Sequence, residues 1–213
     1  MDKVKVLIVD DHPIVRSGLA GEIAKTSDIT VVAEASDGDD AIAKVRTFAP
    51  DLVLLDIALP GKNGLEVLKQ IQAEAPHIKV LMLSAFSEKQ YAVRCLKNGA
   101  IGYLTKKSAP EELISAIRKV MRGRRYVSAS LAELLALEIG TDNNQLPHEI
   151  LSDREFQVLC LIGQGNTVTQ IAQILSLSVS TVNTYRAHVL EKMNMETSAQ
   201  LIRYVLDNNL ADI

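Results

Sequence analysis

Short apolar runs recur along the first half of the chain, and stretches with helical spacing separate them. The runs cover residues 4–9, 52–55, 80–83 and 101–104, with a weaker one at 29–32. Runs this short and continuous are typical of strands that are covered on both faces, as in a parallel sheet. Strand and helix therefore alternate about five times, which predicts a doubly wound α/β domain whose functional groups collect at the carboxyl ends of the strands.

Helix start signals support this alternation, and a change of pattern marks a boundary. Residues 87–90 and 108–111 both match the capping box. The last helix of the series ends near Gly123, after which the pattern weakens. An apolar segment at 131–139 predicts a short linker helix, and residues 140–148 are typical of a flexible connection.

A run of capped helices makes up the rest of the chain. Residues 152–155 and 167–170 match the capping box, Ser178 can cap a third helix that reaches about residue 193, and a fourth helix spans about 198–208. The short turn between the second and third helices predicts a helix-turn-helix in a small all-α domain of four helices. The predicted domains are residues 1–123, a linker with a short helix over 124–149, and residues 150–213.

Composition and cysteine usage indicate the cellular compartment but do not identify a binding partner. The net charge of −3 gives no global indication of nucleic acid. Cys95 and Cys160 lie in separate apolar helical patterns, so we expect buried thiols in a reducing compartment rather than a disulfide. The apolar run at 4–9 is too short for a signal peptide, and no stretch approaches the length of a membrane span. We therefore expect a cytoplasmic protein without a membrane partner.

Polar residues follow four of the predicted strands, at the point where each strand ends. They are Asp10, Asp11, Asp56, Ser84 and Lys106. Carboxylates brought together either raise a pKa or bind a hard cation, and Mg²⁺ suits their oxygen ligands. With a metal and the Lys106 ammonium nearby, Asp56 could attack a phosphoryl group to form an acyl phosphate, and Ser84 could donate a hydrogen bond to it. The alternative is that the aspartates merely end a strand and cap a turn.

The third helix of the second domain has an apolar side and a polar side. Val182, Val189 and Met193 share one side at helical spacing and should pack inward. The side chains left outward or on the flanks are Asn183, Thr184, Tyr185, Ala187, His188 and Lys192. Asparagine can read an adenine edge and threonine can contact a thymine methyl group, so this side is a candidate DNA reader. The candidates for phosphate contacts are Thr181, Arg186 and Lys192.

The segments LIVDDHP, LLDIALPGKNG, LMLSA and GYLTKK, in this order and spacing, resemble the receiver domain of bacterial two-component response regulators. The resemblance covers about the first 120 residues and implies a flavodoxin-like five-stranded parallel sheet. It also implies that a sensor histidine kinase phosphorylates Asp56. Ser84 and Lys106 would then bind the phosphoryl group.

The same resemblance implies a metal site and a switch residue. The implied Mg²⁺ ligands are Asp10, Asp11, Asp56 and the backbone carbonyl of Ala58. Tyr103 matches the aromatic residue whose rotamer reports phosphorylation in receivers; a half-buried strand aromatic is the alternative. In receivers the residues two after the phosphoacceptor and two after the Ser or Thr tune the access of water to the acyl phosphate. Here these are Ala58 and Phe86, which cannot position water by hydrogen bonding, so we predict slow loss of the phosphoryl group.

The pieces LSDREFQVL, IAQIL and SVSTVNTYRAHVLEKM resemble the LuxR-type helix-turn-helix of the NarL/FixJ response regulators over nearly all of residues 150–210. Val-Thr-Gln at 168–170 replaces the Asn-Lys-Glu of many relatives, and Asn183 stands where Lys is frequent, so positive charge is lost. Residues 150–213 carry four Lys or Arg against six Asp or Glu, a net charge of −2, and one copy should bind DNA weakly. Either a dimer places two recognition helices about one DNA turn (~34 Å) apart, or the domain contacts proteins instead.

Together the two domains predict a transcription regulator, with no enzymatic activity beyond its own phosphotransfer and dephosphorylation. Phosphorylation of Asp56 is expected to control homodimer formation and binding to double-stranded DNA, with RNA polymerase left open as a further partner. One alternative is an aspartyl phosphohydrolase, which usually needs a second acid where Ala58 stands. The others are a pure interaction protein and a DNA binder that ignores phosphorylation. The kinase, stimulus, operator, direction of control and dimer face are not identified.

Overall fold

The structure of this protein, a computed structural model, describes residues 3–85, 88–108, 110–140, 146–208 and 210. The chain forms two compact units, Met1–Ala129 and Ser130–Ile213. Phe86 and the predicted cap Ser87 lie outside the described residues, as do residues 141–145 of the predicted connection. Among the residues that are described, no helix combines the length and the apolar character that crossing a membrane requires.

The first unit alternates strands and helices, as the apolar runs predicted. Its elements are β1 (Val4–Val9), α1 (Pro13–Ala24), β2 (Ile29–Ala35), α2 (Gly38–Phe48), β3 (Leu52–Asp56), α3 (Gly64–Glu74), β4 (Lys79–Ser84), α4 (Glu88–Lys97), β5 (Gly102–Thr105) and α5 (Pro110–Met121). All strands pair in parallel, in the order β2-β1-β3-β4-β5. The predicted doubly wound fold with five parallel strands is therefore confirmed.

The strand order reverses beside β1, and this reversal forms a crevice at the carboxyl edge of the sheet. The chain first moves from β1 outward to β2 and then returns past β1 to β3, β4 and β5. The loops that follow β1 and β3 therefore lead to opposite faces of the sheet. Ligands of doubly wound folds bind in the crevice between two such loops. Asp10 directly follows β1 and Asp56 ends β3, so both stand at this point.

Apolar burial fixes the strands whose ends carry the candidate residues. Every residue of β3 is buried, and β4 is buried from Val80 to Ser84. On one face of the sheet, Ile8 and Leu54 belong to the same buried cluster as Ile117 of α5. A fully buried side chain of this kind contributes about 1.5–3 kcal/mol to stability, so the strand ends are held on a rigid platform.

The second part of the chain is helical, as predicted. Its elements are α6 (Ala129–Gly140), a 3₁₀ turn (Pro147–Ile150), α7 (Asp153–Gly163), α8 (Val168–Ile174), α9 (Val179–Lys192) and α10 (Ser198–Asp207). Ser152 and Thr167 open α7 and α8 with reciprocal capping boxes, and Ser178 caps α9 through the N–H of Thr181. Because each cap satisfies a backbone donor that the helix cannot, the sequence positions of these residues set the helix starts.

Candidate functional site

Four strand ends bring their polar residues together at one edge of the sheet. Asp10 follows β1, Asp56 ends β3, Ser84 ends β4 and Lys106 follows β5. The Nζ atom of Lys106 lies 2.6 Å from Oδ2 of Asp56 and 2.6 Å from Oδ2 of Asp10. One ammonium thus bridges two aspartates that are only 2 % and 1 % exposed.

The loop after β1 completes an acidic cluster. Asp10, Asp11, His12 and Asp56 each offer one ligand atom, and these atoms lie within 4.8 Å of one another. Nδ1 of His12 is 2.6 Å from Oδ1 of Asp11, and the backbone N–H of His12 donates to Oδ1 of Asp10 at 2.9 Å. The sequence prediction did not include His12, although its place directly after two aspartates was an available signal.

The donor atoms of this cluster fit a hard divalent cation. Oδ1 of Asp56 is buried and has no hydrogen-bond partner in the part of the chain that the structure describes. A buried acceptor without a partner is costly, so this oxygen suits a ligand that brings positive charge. The carboxylate oxygens of Asp10, Asp11 and Asp56 are of the type that Mg²⁺ accepts.

Burial and the neighbouring lysine act in opposite directions on Asp56. Burial raises the pKa of Asp56, the Lys106 ammonium partly offsets this, and the resulting pKa is about 6. Burial lowers the pKa of Lys106, but the carboxylates of Asp56 and Asp10 outweigh it, so this pKa lies above its ordinary value. At neutral pH the site therefore holds a charged lysine beside a largely ionised Asp56.

Ser84 and Tyr103 lie fully buried on the neighbouring strands β4 and β5. Burial raises the pKa of the Tyr103 hydroxyl well above its usual range, while a hydrogen bond with Ser84 acts against this rise. The hydroxyl is therefore protonated at any physiological pH. Since Tyr103 is fully rather than half buried, a change of its rotamer requires the surrounding core to repack.

Residues that the sequence prediction did not include hold the loop between β3 and α3. Ala58, the predicted carbonyl ligand, lies in this loop two positions after Asp56. Asn63 opens α3 with a capping box, and the N–H of Gly64 donates to the carbonyl of Ile57 at 3.0 Å. A Cβ atom at Gly64 would lie 2.0 Å from the carbonyl oxygen of Asp56, so the loop can approach this closely only with glycine.

The polar side predicted on α9 is accessible, and the apolar side is buried. Val182, Val189 and Met193 are buried. The exposed residues are Asn183, Thr184, Ala187, His188 and Lys192, and the half-buried ones are Thr181, Tyr185 and Arg186. The helix therefore presents the predicted reading residues along one accessible surface.

Several of these side chains have partners within the second unit. Nζ of Lys192 lies 2.7 Å from Oε2 of the buried Glu155, and Nδ1 of His188 lies 3.6 Å from its other oxygen, Oε1. Nε of Arg186 donates to Oγ of Ser198 at 2.7 Å. Glu155 was not among the predicted site residues, because in the sequence it stands out only as the third residue of a capping box.

Two families match the two parts of the chain. Residues 6–118 match the response regulator receiver domain. Residues 149–205 match the bacterial regulatory proteins of the luxR family. The first match spans the strands that carry the aspartate cluster, and the second spans α7 to α9 and most of α10.

Individual relatives align with most or nearly all of the chain. Response regulator UvrY of Escherichia coli strain K12 is 37 % identical over 210 residues, which cover 98 % of this chain and 96 % of UvrY. The crystal structure of a LuxR-family two-component response regulator from Aurantimonas sp. SI85-9A1 is 35 % identical, with a TM-score of 0.61 over 66 % of this chain and 100 % of that one. RcsB from Salmonella enterica serovar Typhimurium, bound to promoter rprA in the presence of phosphomimetic BeF3⁻, is 25 % identical, with a TM-score of 0.66 over 96 % of this chain and 99 % of that one.

Proposed function

Because the chain belongs to the NarL/FixJ family of two-component response regulators, which bind DNA and regulate transcription, we propose that phosphorylation of Asp56 switches its activity. A sensor histidine kinase donates the phosphoryl group, and the phosphorylated protein forms a homodimer on double-stranded DNA in the cytoplasm. Residues 1–123 act as the receiver, 124–149 as the linker and 150–213 as the DNA-binding domain. RNA polymerase is left open as a further partner.

The observation that carries this proposal is the buried Asp56 carboxylate with the Lys106 ammonium 2.6 Å from one of its oxygens. A carboxylate oxygen of Asp56 attacks phosphorus, the bond from phosphorus to the donor nitrogen breaks, and an acyl phosphate forms. With a pKa of about 6, Asp56 is mostly ionised at neutral pH, so the attack needs no separate base. Lys106 balances the charge that the phosphoryl oxygens add.

The acidic cluster is assigned to Mg²⁺. Asp10, Asp11 and Asp56, together with the backbone carbonyl of Ala58, would hold the ion, which supplies positive charge to the phosphoryl oxygens when bound. The unpartnered Oδ1 of Asp56 supports this assignment. Asp10 and Lys106 keep the cluster compact, because their 2.6 Å ion pair links the end of β1 to the end of β5.

The switch is assigned to Ser84 and Tyr103. A phosphoryl group on Asp56 offers the Ser84 hydroxyl a charged acceptor, which competes with its present contact to Tyr103. Because both side chains are fully buried, a new arrangement of either one must involve the packing of β4, β5 and α4. The phosphoryl group then shifts the population between two packed states.

DNA recognition is assigned to the accessible side of α9. The residues proposed to reach base edges are Asn183, Thr184, Tyr185 and His188, and those proposed to contact phosphates are Thr181, Arg186 and Lys192. The present partners of the two cations are compatible with this role. The ammonium of Lys192 has three donors and the guanidinium of Arg186 has five, so each can keep its intradomain contact and also donate to a phosphate.

The proposal is tested by binding to a randomised duplex pool, followed by titration of a selected site with Mg²⁺ and beryllium fluoride. Wild type should bind more tightly and form dimers with the mimic, whereas Asp56→Ala should show neither response. Equal affinity of the two proteins with the mimic would mean that DNA binding ignores phosphorylation. If no duplex is retained in either state, the second domain contacts proteins instead.

A further inference from the structure

Charge is divided between the two units in the opposite sense to the one that DNA binding requires. The unit Ser130–Ile213 contains four Lys or Arg and ten Asp or Glu, a net charge of −6. The unit Met1–Ala129 contains 19 Lys or Arg and 16 Asp or Glu, a net charge of +3. DNA affinity comes largely from cations that neutralise phosphates, so the unit that carries α9 is short of the charge its role needs.

The four cations of the second unit are also engaged inside it. Arg154 is buried and donates to a glutamine side chain at 2.9 Å. Lys192 and Arg203 each lie beside a carboxylate, at 2.7 and 3.6 Å. Arg186 is half-buried and donates to a serine hydroxyl at 2.7 Å. Because the same unit also holds ten carboxylates, the positive potential that these four groups can offer to a phosphate backbone is small.

Exposed cations are concentrated instead at the end of α5. Five of the eight residues from 118 to 125 are Lys or Arg, and none is acidic. The basic patch consists of the four that form no ion pair with a carboxylate among the described residues: Lys119, Arg122, Arg124 and Arg125. All four are exposed, and the three arginines also make no side-chain hydrogen bond in the described part of the chain. An exposed cluster of this density is one form that an electrostatic contact to nucleic acid takes.

The shape and chemistry of the basic patch suit a phosphate backbone. Lys119, Arg122 and Arg124 line a shallow groove of about 800 Å³ between α1 and α5. Glu22 and Glu111 also line this groove, so the excess positive charge there comes from the patch and its basic neighbours. Arginine predominates in the patch, and its planar fork of donors matches phosphate oxygens better than an ammonium does.

The basic patch lies close in the chain to the unit that carries α9. Arg125 precedes Ser130, the first residue of that unit, by five positions, which the chain spans in at most about 18 Å. A duplex presents a phosphate charge about every 1.7 Å along its axis and extends well beyond a single small domain. A long duplex that is bound by one unit can therefore also be contacted by a segment that is tethered this closely to that unit.

We propose that the basic patch binds the phosphate backbone of the duplex that α9 reads, and so supplies electrostatic affinity that the second unit lacks. This inference rests on the proposed DNA binding of the chain. The two units then divide the work: the patch contributes affinity that is independent of sequence, and α9 contributes the preference for particular bases. Removal of the patch weakens binding to every duplex by a similar factor and reduces the dependence on salt.

The test measures fluorescence anisotropy of the full chain with Mg²⁺ and beryllium fluoride, on a selected duplex and on a duplex of scrambled sequence, over a series of salt concentrations. The patch variant is Arg122→Gln/Arg124→Gln/Arg125→Gln. The matched control is Arg46→Gln/Lys69→Gln/Lys97→Gln, which removes the same charge from exposed positions on α2, α3 and α4. For the patch variant, the slope of log affinity against log salt should become shallower by about 0.9 for each DNA phosphate that is no longer neutralised, and the control should keep the wild-type slope.

Further measurements separate the outcomes. The variant Asn183→Ala/Thr184→Ala should lose the preference for the selected duplex and keep the wild-type slope. Equal slopes for the patch variant and its control would overturn the inference and leave the proposed function intact. The inference is also overturned if the patch variant keeps the wild-type salt slope and loses affinity only in proportion to its lower dimer fraction, measured by sedimentation. If wild type binds neither duplex, the proposed function and the inference fail together.

Discussion

Gly64 is the residue at which the loop after β3 comes closest to the backbone of Asp56. A Cβ atom there would meet the Asp56 carbonyl oxygen at 2.0 Å, so Gly64→Ala must displace the loop that carries Ala58. We expect it to destabilise the receiver by about 1–3 kcal/mol, the usual cost of overpacking, and to slow phosphorylation of Asp56. Urea unfolding, followed by a signal that reports on the receiver domain alone, would measure the change in its free energy of unfolding.

The matched control is Gly18→Ala, because nothing lies within 4 Å of a Cβ at this position of α1. Alanine there should stabilise the helix by roughly 1 kcal/mol, since glycine is the poorer helix former. A similar loss of stability in both variants would show that the close approach at Gly64 is not what requires glycine.

We predict that Ala58, two positions after Asp56, controls how water reaches a phosphoryl group on that residue. A methyl group cannot hold a water molecule by hydrogen bonding, so we expect the acyl phosphate to persist. Ala58→Asn should speed its loss by about tenfold, less than the roughly 10²–10⁴-fold of a general acid or base because an amide only positions the water, whereas the apolar control Ala58→Val should not. The phosphorylated fraction over time, measured by intact mass, decides this. Decay within seconds in wild type, with no acceleration in Ala58→Asn, would contradict the expectation.

Residue by residue, the sequence predicted best where a polar side chain ends a buried strand. Asp56 and Ser84 could be placed at one edge because parallel strands deliver their last residues to the same side. Gly64 was missed for a physical reason: its importance lies in a close approach to the Asp56 carbonyl, which no residue type marks in a single sequence. His12 could have been included, because it directly follows two aspartates in the sequence.

At the scale of elements, the ends of the strands were predicted to within one residue, except at the carboxyl end of the edge strand β2. β3 was predicted over 52–55 and extends to Asp56. β2 was predicted only over 29–32 and continues to Ala35. As an edge strand it is mostly half-buried, so it tolerates the polar Glu34, which pairs with Arg16 at 3.3 Å.

The segment that follows α5 is hydrogen-bonded to α4, to α5 and to the residue that precedes β5. The N–H of Tyr126 donates to the carbonyl of Ile101 at 3.0 Å, and its hydroxyl donates to Glu112 of α5. Oγ of Ser128 donates to Glu88, the first residue of α4, at 2.5 Å. The start of the linker thus contacts both helices that flank β5.

This attachment predicts a variant in which phosphorylation and DNA binding are uncoupled. Ser128→Ala removes the hydrogen bond to Glu88, so a rearrangement of α4 should be transmitted less well to the linker. We expect the increase in DNA affinity on adding beryllium fluoride to fall several-fold, about 1 kcal/mol for one hydrogen bond, while Asp56 is phosphorylated at the normal rate. Ser115→Ala, an exposed position on α5, is the control. An unchanged increase in Ser128→Ala would contradict this role.

The contact between α7 and α9 gives the second unit a pH-dependent stability. Burial raises the pKa of Glu155, but hydrogen bonds from Lys192 and Ser152 outweigh it and hold this pKa below its ordinary value of 4.5. A carboxylate with a lowered folded-state pKa stabilises the fold above its unfolded pKa, and the contribution is lost as pH falls through the folded value. Glu155→Gln should therefore lower the free energy of unfolding by about 1–2 kcal/mol at pH 7.

The same dependence of stability on protonation predicts how Glu155→Gln behaves at low pH. At pH 3 the deficit of Glu155→Gln should be smaller than at pH 7, because protonation of Glu155 removes its stabilising contribution progressively as the pH falls. Glu191→Gln, an exposed neighbour on α9, should change stability by less than about 0.5 kcal/mol at either pH. Urea unfolding at the two pH values measures both variants. An equal deficit for Glu155→Gln at pH 3 and pH 7 would mean that packing, and not charge, is responsible.

At the scale of the whole molecule, the sequence predicted two parts with different chemistry because its periodicity changes from short apolar runs to capped helices. The sequence alone did not show what role the cluster of positive charge at 118–125 has. The basic cluster at 118–125 is ordinary as a helix end, and becomes informative only when the structure shows that the cations of the second unit are engaged and that Arg122, Arg124 and Arg125 are exposed.

The excess of acid in the second unit leads to a prediction about the DNA sites that the protein selects. One copy of that unit offers few free cations, so a single half-site should be bound weakly, and two linked copies are needed to hold a duplex. Sites selected with beryllium fluoride should therefore contain two half-sites with centres about 10 bp, or a multiple of this, apart. Inserting about 5 bp between them turns the second half-site to the opposite side of the duplex and should lower affinity by at least roughly tenfold, whereas inserting about 10 bp should restore part of it. Gel-shift titration of the three spacings measures this, and equal affinity for all three would mean that the protein reads its site as a monomer.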